Sequence, residues 1–291
     1  MQHQTYSIRS MTRGEVELAI EWAAQEGWNP GLQDADCYHR ADPNGFMVGL
    51  LDGTPIACIS VIRYGDSFGF LGFYIVRPEY RGQEYGIQLW KAGMEYLHGR
   101  NIGLDGVVDQ QDNYRRSGFR FAYRNIRYQG LGGNSQGSEA GNAADKAATV
   151  VALAKLPQAT LEAYDQPFFP ADRTLFINRW VRQTGCHALG VLQGGALAGY
   201  GVIRPCRSGY KIGPLFADTP ELADTLFVAL SSHIGAGETM FLDTPESNTA
   251  AVALAERHGM TVAFETARMY TGDAPDLPLE RIFGVTSFEV G

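Results

Sequence analysis

Val76-Arg77-Pro78-Glu79-Tyr80-Arg81-Gly82-Gln83-Glu84-Tyr85-Gly86 joins the end of an apolar strand-like run, Phe68–Val76, to an amphipathic helical one. A helix begins with backbone N–H groups that have no intrahelical acceptor, and its dipole places partial positive charge there. Glycines at 82 and 86 let an anion approach the backbone closely, and Arg81 adds charge. The arrangement suits a pyrophosphate. The same residues also fit an ordinary capped helix start with a surface arginine. The flanking chain has to decide between the two.

Upstream, Thr12 and Glu15 have capping-box spacing, and Val16, Ala19, Ile20 and Ala23 recur at helical intervals until Gly27 stops the run. A turn-rich piece, Trp28-Asn29-Pro30-Gly31, leads into a short segment carrying Asp34, Asp36 and Tyr38. Strands are expected over Phe46–Leu51 and 56–64, with Asp52-Gly53 and Gly65-Asp66 as turns. Downstream, a helix is expected over 82–97 with Ile87, Trp90, Met94 and Leu97 on its apolar face. A strand over 103–108, a short helix ending near Gly118 and a strand over 121–128 follow. A strand–helix–strand succession lets the outer strands lie parallel, side by side.

Tyr114 stands four residues before the helix stop Gly118-Phe119. With this order of elements, residues 6–130 resemble the GNAT superfamily of N-acetyltransferases. The resemblance rests on its acetyl-CoA-binding motif V-x-P-x-x-R-G-x-G-x-G and the downstream Y-x-x-x-G-F. It implies an α/β fold with a mixed central sheet flanked by helices, acetyl-CoA as cosubstrate and no metal. It further implies that the backbone of Tyr74, Ile75 and Val76 meets the pantetheine arm. The amides of Arg81, Gly82, Gln83, Glu84, Tyr85 and Gly86 would hold the pyrophosphate, and Tyr114 would protonate the departing thiolate. Glu84 departs from the pattern, standing where the family usually has glycine; its amide can still donate, but its carboxylate must turn away. On the acceptor side the resemblance points to the segment after the first helix. There Trp22, Glu26, Trp28, Asp34, Asp36 and Tyr38 could hold a small cationic amine by ion pairing and cation–π contact. These residues also fit a solvated helix end and a packed tryptophan. Asp109 and Asp112 are alternative proton acceptors, and Asp165, Asp172, Arg173 and Asp243 could reach the cleft from the second half.

The second half repeats the first. Arg63 and Arg204 lie 141 residues apart within similar strand-like runs, as do the helix-stopping Gly118 and Gly259. At that offset Arg81 meets Leu222, Gly82 meets Ala223 and Tyr114 meets Ala255, so the copy keeps the framework and loses the site. Asp218, Glu221 and Asp224 near its helix start would repel a phosphate. The expected organisation is a catalytic unit over 1–130, a Gly/Asn/Ser-rich flexible linker over 131–147 and a degenerate copy over 148–291.

Composition limits the alternatives. Twenty-four basic against 32 acidic residues give a net charge of −8 with no basic cluster, which argues against a nucleic-acid partner. No apolar run approaches the ~20 residues of a membrane span, and the polar start has no signal-peptide pattern, so a cytoplasmic chain is expected. Cys37, Cys58, Cys186 and Cys206 are scattered, without metal-ligand spacing. The leading expectation is an acetyl-CoA-dependent N-acyltransferase acting by direct attack of an amine. The rival is a non-catalytic CoA-binding sensor or interaction protein.

Overall fold

In the computed structural model, which describes residues 4–133 and 148–291, the capping box forms reciprocally. Thr12 N–H donates to Glu15 Oε2 at 2.8 Å, and Glu15 N–H donates to Thr12 Oγ1 at 3.3 Å. The helix it opens is α1 (Val16–Gln25), and Gly27 ends it at φ +81°. The first half reads β1 (Tyr6–Ser10), α1, α2 (Asp34–Ala41), β2 (Phe46–Leu51), β3 (Thr54–Tyr64), β4 (Phe68–Val76), α3 (Tyr85–Tyr96), β5 (Asn101–Val107), α4 (Gln111–Arg116) and β6 (Arg120–Leu131). The second reads β7 (Ala148–Ala152), α5 (Gln158–Asp165), α6 (Thr174–Trp180), β8 (His187–Gln193), β9 (Ala196–Pro205), β10 (Tyr210–Ala217), α7 (Pro220–Ser231), β11 (Thr239–Pro245), α8 (Thr249–Arg257), β12 (Thr261–Tyr270) and β13 (Ile282–Gly284). Of the linker expected over 131–147, residues 134–147 lie outside the described residues.

The two halves share one mixed sheet in the order β1-β2-β3-β4-β5-β12-β6-β11-β10-β9-β8-β7, with β13 pairing to β10 off this path. Only β4–β5 and β10–β11 pair parallel among these neighbours. The halves exchange their last long strands. β12 lies between β5 and β6, pairing Thr266–Tyr270 with 107–103, while β6 pairs Asn125–Leu131 with 245–239 of β11. Neither half completes its sheet without a strand from the other.

The repeat holds for β3 and β9, β4 and β10, α4 and α8, and β6 and β12, but it breaks at the helix that matters. Residues 77–84 connect β4 to α3, whereas Asp218 and Thr219 alone connect β10 to α7. The constant offset therefore misplaces Arg81 on Leu222 and Gly82 on Ala223, both of which are buried inside α7. The second half has no counterpart of the glycine-bearing loop at all, and its helix start is closed by Thr219 Oγ1, which accepts from Leu222 N–H.

Helix α3 lays Leu89, Trp90, Gly93 and Leu97 on the sheet. Ile87, expected on that face, is 46% exposed because the strands beneath the first turn have already parted. On the opposite face of the sheet one core joins both halves, bringing Tyr38, Phe46 and Phe73 together with Trp180, Tyr200 and Phe216. Across this core Arg204 of β9 holds Asp34 of α2 through Nε at 2.9 Å, both residues being fully buried.

Candidate functional site

β4 and β5 pair only from Phe68↔Asn101 to Leu71↔Leu104. Beyond that point β4 stays with β3 and β5 stays with β12, so a V-shaped gap opens between them. The divergence has a local cause. Cys58 pairs with Ile75 and Ser60 with Gly72, so β4 carries one residue more than β3 over this stretch. The surplus falls at Phe73, whose φ of +46° is a left-handed conformation rarely adopted by a bulky side chain. Packing holds it there, since the Phe73 ring is buried against Tyr38 and Phe46 at centroid distances of 5.7 and 5.6 Å.

The gap widens into a cavity of about 1120 Å³. Tyr74, Ile75, Val76 and Arg81 line one wall, and Asp105, Gly106, Asp109 and Tyr114 line the other. At its mouth lies the loop singled out in the sequence. Pro78–Tyr80 forms a 3₁₀ turn, Gly82 sits at φ +74° and Glu84 at φ +65°, and α3 then starts without a side-chain cap. Gln88 N–H, bonded to Glu84 O, is the first amide of this helix with an intrahelical acceptor, leaving the preceding turn open to an anion. Glu84 occupies a left-handed position, which explains why glycine suits it; its side chain is exposed. Gly86 is needed for contact, because a Cβ there would lie 2.7 Å from Tyr74 Oη and 2.9 Å from Val76 Cγ2. Arg81 braces the loop, its Nε donating to Val76 O at 2.8 Å and its guanidinium pairing with Glu26.

Tyr114 reaches the cavity from α4. Its ring stacks on Trp90 with centroids 5.9 Å apart and lies directly over Gly106, where a Cβ would stand 2.1 Å from Cε2. Burial, with Tyr74 nearby, pushes its phenol up to about 12. It therefore carries its proton throughout the neutral range and can donate it. Among the described residues its Oη has no hydrogen-bond partner.

The expected acceptor residues divide. Trp28 and Glu26 line the cavity, but Glu26 is committed to Arg81 at the rim. Trp22 is buried in the core and lies off the cavity. Asp34 is fully buried, holding Arg204, Gly31 N–H and Tyr38 Oη, and Asp36 is shared by Arg13, Arg40 and Arg179. Neither aspartate lines the cavity, so the structure does not bring them to a ligand; their charge serves packing between the halves. Asp112 is largely exposed beside Arg115. Asp165, Asp172 and Arg173 border a separate cavity of about 940 Å³, and Asp243 is clamped by Arg127 with both Nε–Oδ1 and Nη2–Oδ2 at 2.7 Å.

The second half does wall one side of the cavity, but with residues other than the four the sequence offered: Phe264, Glu265 and Thr266 from β12 and Phe288 and Glu289 beyond β13, joined by Arg127 from β6 of the first half. The continuous apolar run Ile282-Phe283-Gly284-Val285 was the available signal for the segment carrying Phe288 and Glu289. It forms β13, which lies beside β10 at Leu215 and Phe216 while Val285 N–H donates to Asp243 O of β11 at 2.8 Å. β10 and β11 pair only from Tyr210 to Ile212, so β13 fills the second half's own gap, the one equivalent to the cavity between β4 and β5. Among the described residues no group of His, Cys, Asp and Glu is placed to hold a metal ion, and no helix is long and apolar enough to cross a membrane.

Comparison with known proteins gives matches for both halves. Residues 10–119 match the acetyltransferase (GNAT) family, and residues 161–284 match a second acetyltransferase (GNAT) domain family. The chain is 28% identical over 290 residues to holothin acyltransferase of Pseudoalteromonas sp. (strain SANK 73390), covering 100% of this chain and 96% of that protein. A chain from Pyrococcus horikoshii proposed to be an acetyltransferase superposes with TM-score 0.81 at 20% identity, over 100% of this chain and 98% of its own. A tandem GNAT protein from the clavulanic acid biosynthesis pathway superposes with TM-score 0.64 at 13% identity, over 93% and 100% respectively.

Proposed function

The chain belongs to the GNAT acetyltransferases and carries two such domains in tandem, and from that premise we propose that it transfers an acyl group, most simply acetyl from acetyl-CoA, to a primary amine of a small molecule. The supporting observation is one cavity that lies between a parallel strand pair that parts and is lined by a protonated tyrosine, with an uncapped helix start behind a glycine loop at its mouth, where Arg81 and Ile87 line it. The open amides of residues 82–86 receive the pyrophosphate. The pantetheine arm enters between β4 and β5, meeting the backbone of Tyr74, Ile75 and Val76. Arg81 acts by bracing the loop to the end of β4. The amine nitrogen attacks the thioester carbon, the C–S bond breaks, and Tyr114 gives its proton to the sulfur.

The cofactor site is single on this reading. The second half lacks the loop, has Ala255 in place of Tyr114, and has β13 where a pantetheine arm would lie. The similarity to a protein named holothin acyltransferase favours acyl transfer over the rival of a non-catalytic CoA-binding sensor. Thiol release by the full-length chain, supplied with acetyl-CoA and longer acyl-CoAs across a panel of primary amines, tests the proposal. Amine-dependent release with a matching mass gain on the amine is expected. Tight CoA binding with no acceptor-dependent release would establish the sensor instead.

A further inference from the structure

Glu289 is 4% exposed and lines the cavity, yet it belongs to no ion pair among the described residues. The other carboxylates along the walls are committed or open to water: Glu26 holds Arg81, Asp105 holds Arg268, Glu265 holds Arg124, and Asp109 is exposed. Glu289 Oε2 accepts from Ser287 Oγ at 2.6 Å and from Tyr38 Oη at 3.2 Å, while Oε1 has no partner among the described residues. Tyr38 has one proton to give, and Asp34 Oδ2 at 3.1 Å competes for it. The carboxylate is thus oriented by its neighbours without being neutralised by them. A buried charge in this condition costs free energy unless a counter-ion arrives.

The nearby cations do not meet the need. Arg127, which also lines the cavity, spends Nε and Nη2 on Asp243 and Nη1 on the Trp28 carbonyl. Arg204 is bound to Asp34. Lys211 and Arg127 are both buried close enough to feel Glu289's charge, but neither lies within ion-pair distance of it, and burial lowers the pKa of Lys211. The position is also the right one. The Glu289 carbonyl packs on Gly72, where a Cβ would approach within 2.2 Å, and Gly72 immediately follows the last residue of β4 that pairs with β5. Glu289 therefore stands at the apex of the V, beyond the reach of the phosphate loop. Trp28, Phe264 and Phe288 surround the same space.

We propose that Glu289 receives the acceptor: it pairs with the ammonium group of a primary amine whose body is apolar or aromatic, and takes one proton from it. This rests on the acyl-transfer reading above and assigns its acceptor side. The ammonium loses a proton to the carboxylate, freeing the nitrogen lone pair; the C–N bond then forms and the C–S bond breaks. The nitrogen's second lost proton replaces the one that Tyr114 delivers to sulfur, so the products are the amide, CoA thiol and protonated Glu289, which returns its proton to water.

Calorimetry on the full-length chain with 2-phenylethylamine and its uncharged isostere 2-phenylethanol tests recognition without requiring turnover. The amine is expected to bind at least about 10-fold more tightly than the alcohol, a difference of roughly 1.4 kcal/mol. Glu289→Gln should abolish the difference and Glu289→Asp restore part of it, with acetyl-CoA affinity in both variants serving as the check on folding. An amine with no advantage over the alcohol, whether both bind or neither does, overturns the proposal, as does an advantage that survives Glu289→Gln. On an amine that the wild type acylates, Glu289→Gln should lower kcat/KM on the order of 10²-fold. Wild-type inactivity toward every amine would refute the acyl-transfer reading, whereas activity untouched by Glu289→Gln would refute only this assignment.

Discussion

Replacing Gly106 with alanine places a methyl group 2.1 Å from Tyr114 Cε2 and 2.8 Å from Cδ2, where ordinary contact begins at 3.4 Å. The ring must retreat by roughly 1.3 Å, and a misplacement of that order costs about 10²-fold in rate when a proton has to be delivered in line. It cannot move as a rigid plate, because Trp90 stacks on it at a centroid distance of 5.9 Å. Single-turnover thiol release at saturating acetyl-CoA and amine isolates the chemical step. The Gly106→Ala rate should fall by about 10²-fold while acetyl-CoA affinity changes little, because the phosphate loop lies elsewhere. With Tyr114→Ala in the background the added cost of Gly106→Ala should nearly vanish, the clash having been removed. A Gly106→Ala chain that keeps a rate close to wild type would refute the placement of Tyr114 as the acid.

Glu84→Gly removes a left-handed non-glycine residue and a carboxylate from the helix start, so calorimetry should show tighter acetyl-CoA binding and thermal unfolding a gain of up to about 1 kcal/mol; weaker binding would contradict the loop's role. Asp34→Ala leaves Arg204 buried and unpaired, and denaturant titration should show a loss of about 3–5 kcal/mol, against less than about 1 kcal/mol for Asp36→Ala, whose partners are half exposed. Equal losses would remove the distinction between a structural and a surface aspartate. Tyr114, raised in the folded chain from an unperturbed value of 10.0 to about 12, contributes stability that is fully present below pH 10 and is lost as pH climbs toward 12. Alkaline unfolding of Tyr114→Phe should therefore be less steep across that window than that of the wild type, and an identical slope would count against the shift.

The loop geometry proposed to hold the cofactor was legible because it is local. A strand end, a glycine loop and a helix start are contiguous between residues 76 and 86, and Tyr114 is fixed by the helix stop that follows it. Of the residues proposed for the acceptor side only Trp28 was anticipated, because Phe264, Phe288 and Glu289 reach the cavity from the far half of the chain. Asp34 and Asp36 looked available until Arg204 and Arg179, 170 and 143 residues away, drew them into the contact between the halves. The constant repeat offset concealed the shortened connection before α7, since a fixed spacing cannot show a local deletion compensated further along. The segment around β13 is a continuous apolar run that marks a buried element, but nothing in its composition told that it would close one gap and then carry Glu289 into the other.

The exchanged strands also make the isolated halves poor reagents, since a cut between them would strip β12 from β5 and β6 from β11. The full-length chain is the appropriate subject. Calorimetric titration with a non-reactive acetyl-CoA analogue, on the wild type and on Gly86→Leu, addresses the cofactor site directly. One molecule per chain is expected for the wild type. Affinity should fall more than about 10-fold in Gly86→Leu, whose side chain would collide with Tyr74 and Val76 and displace the helix start. Two equivalent sites, no site, or a site that Gly86→Leu leaves intact would contradict it.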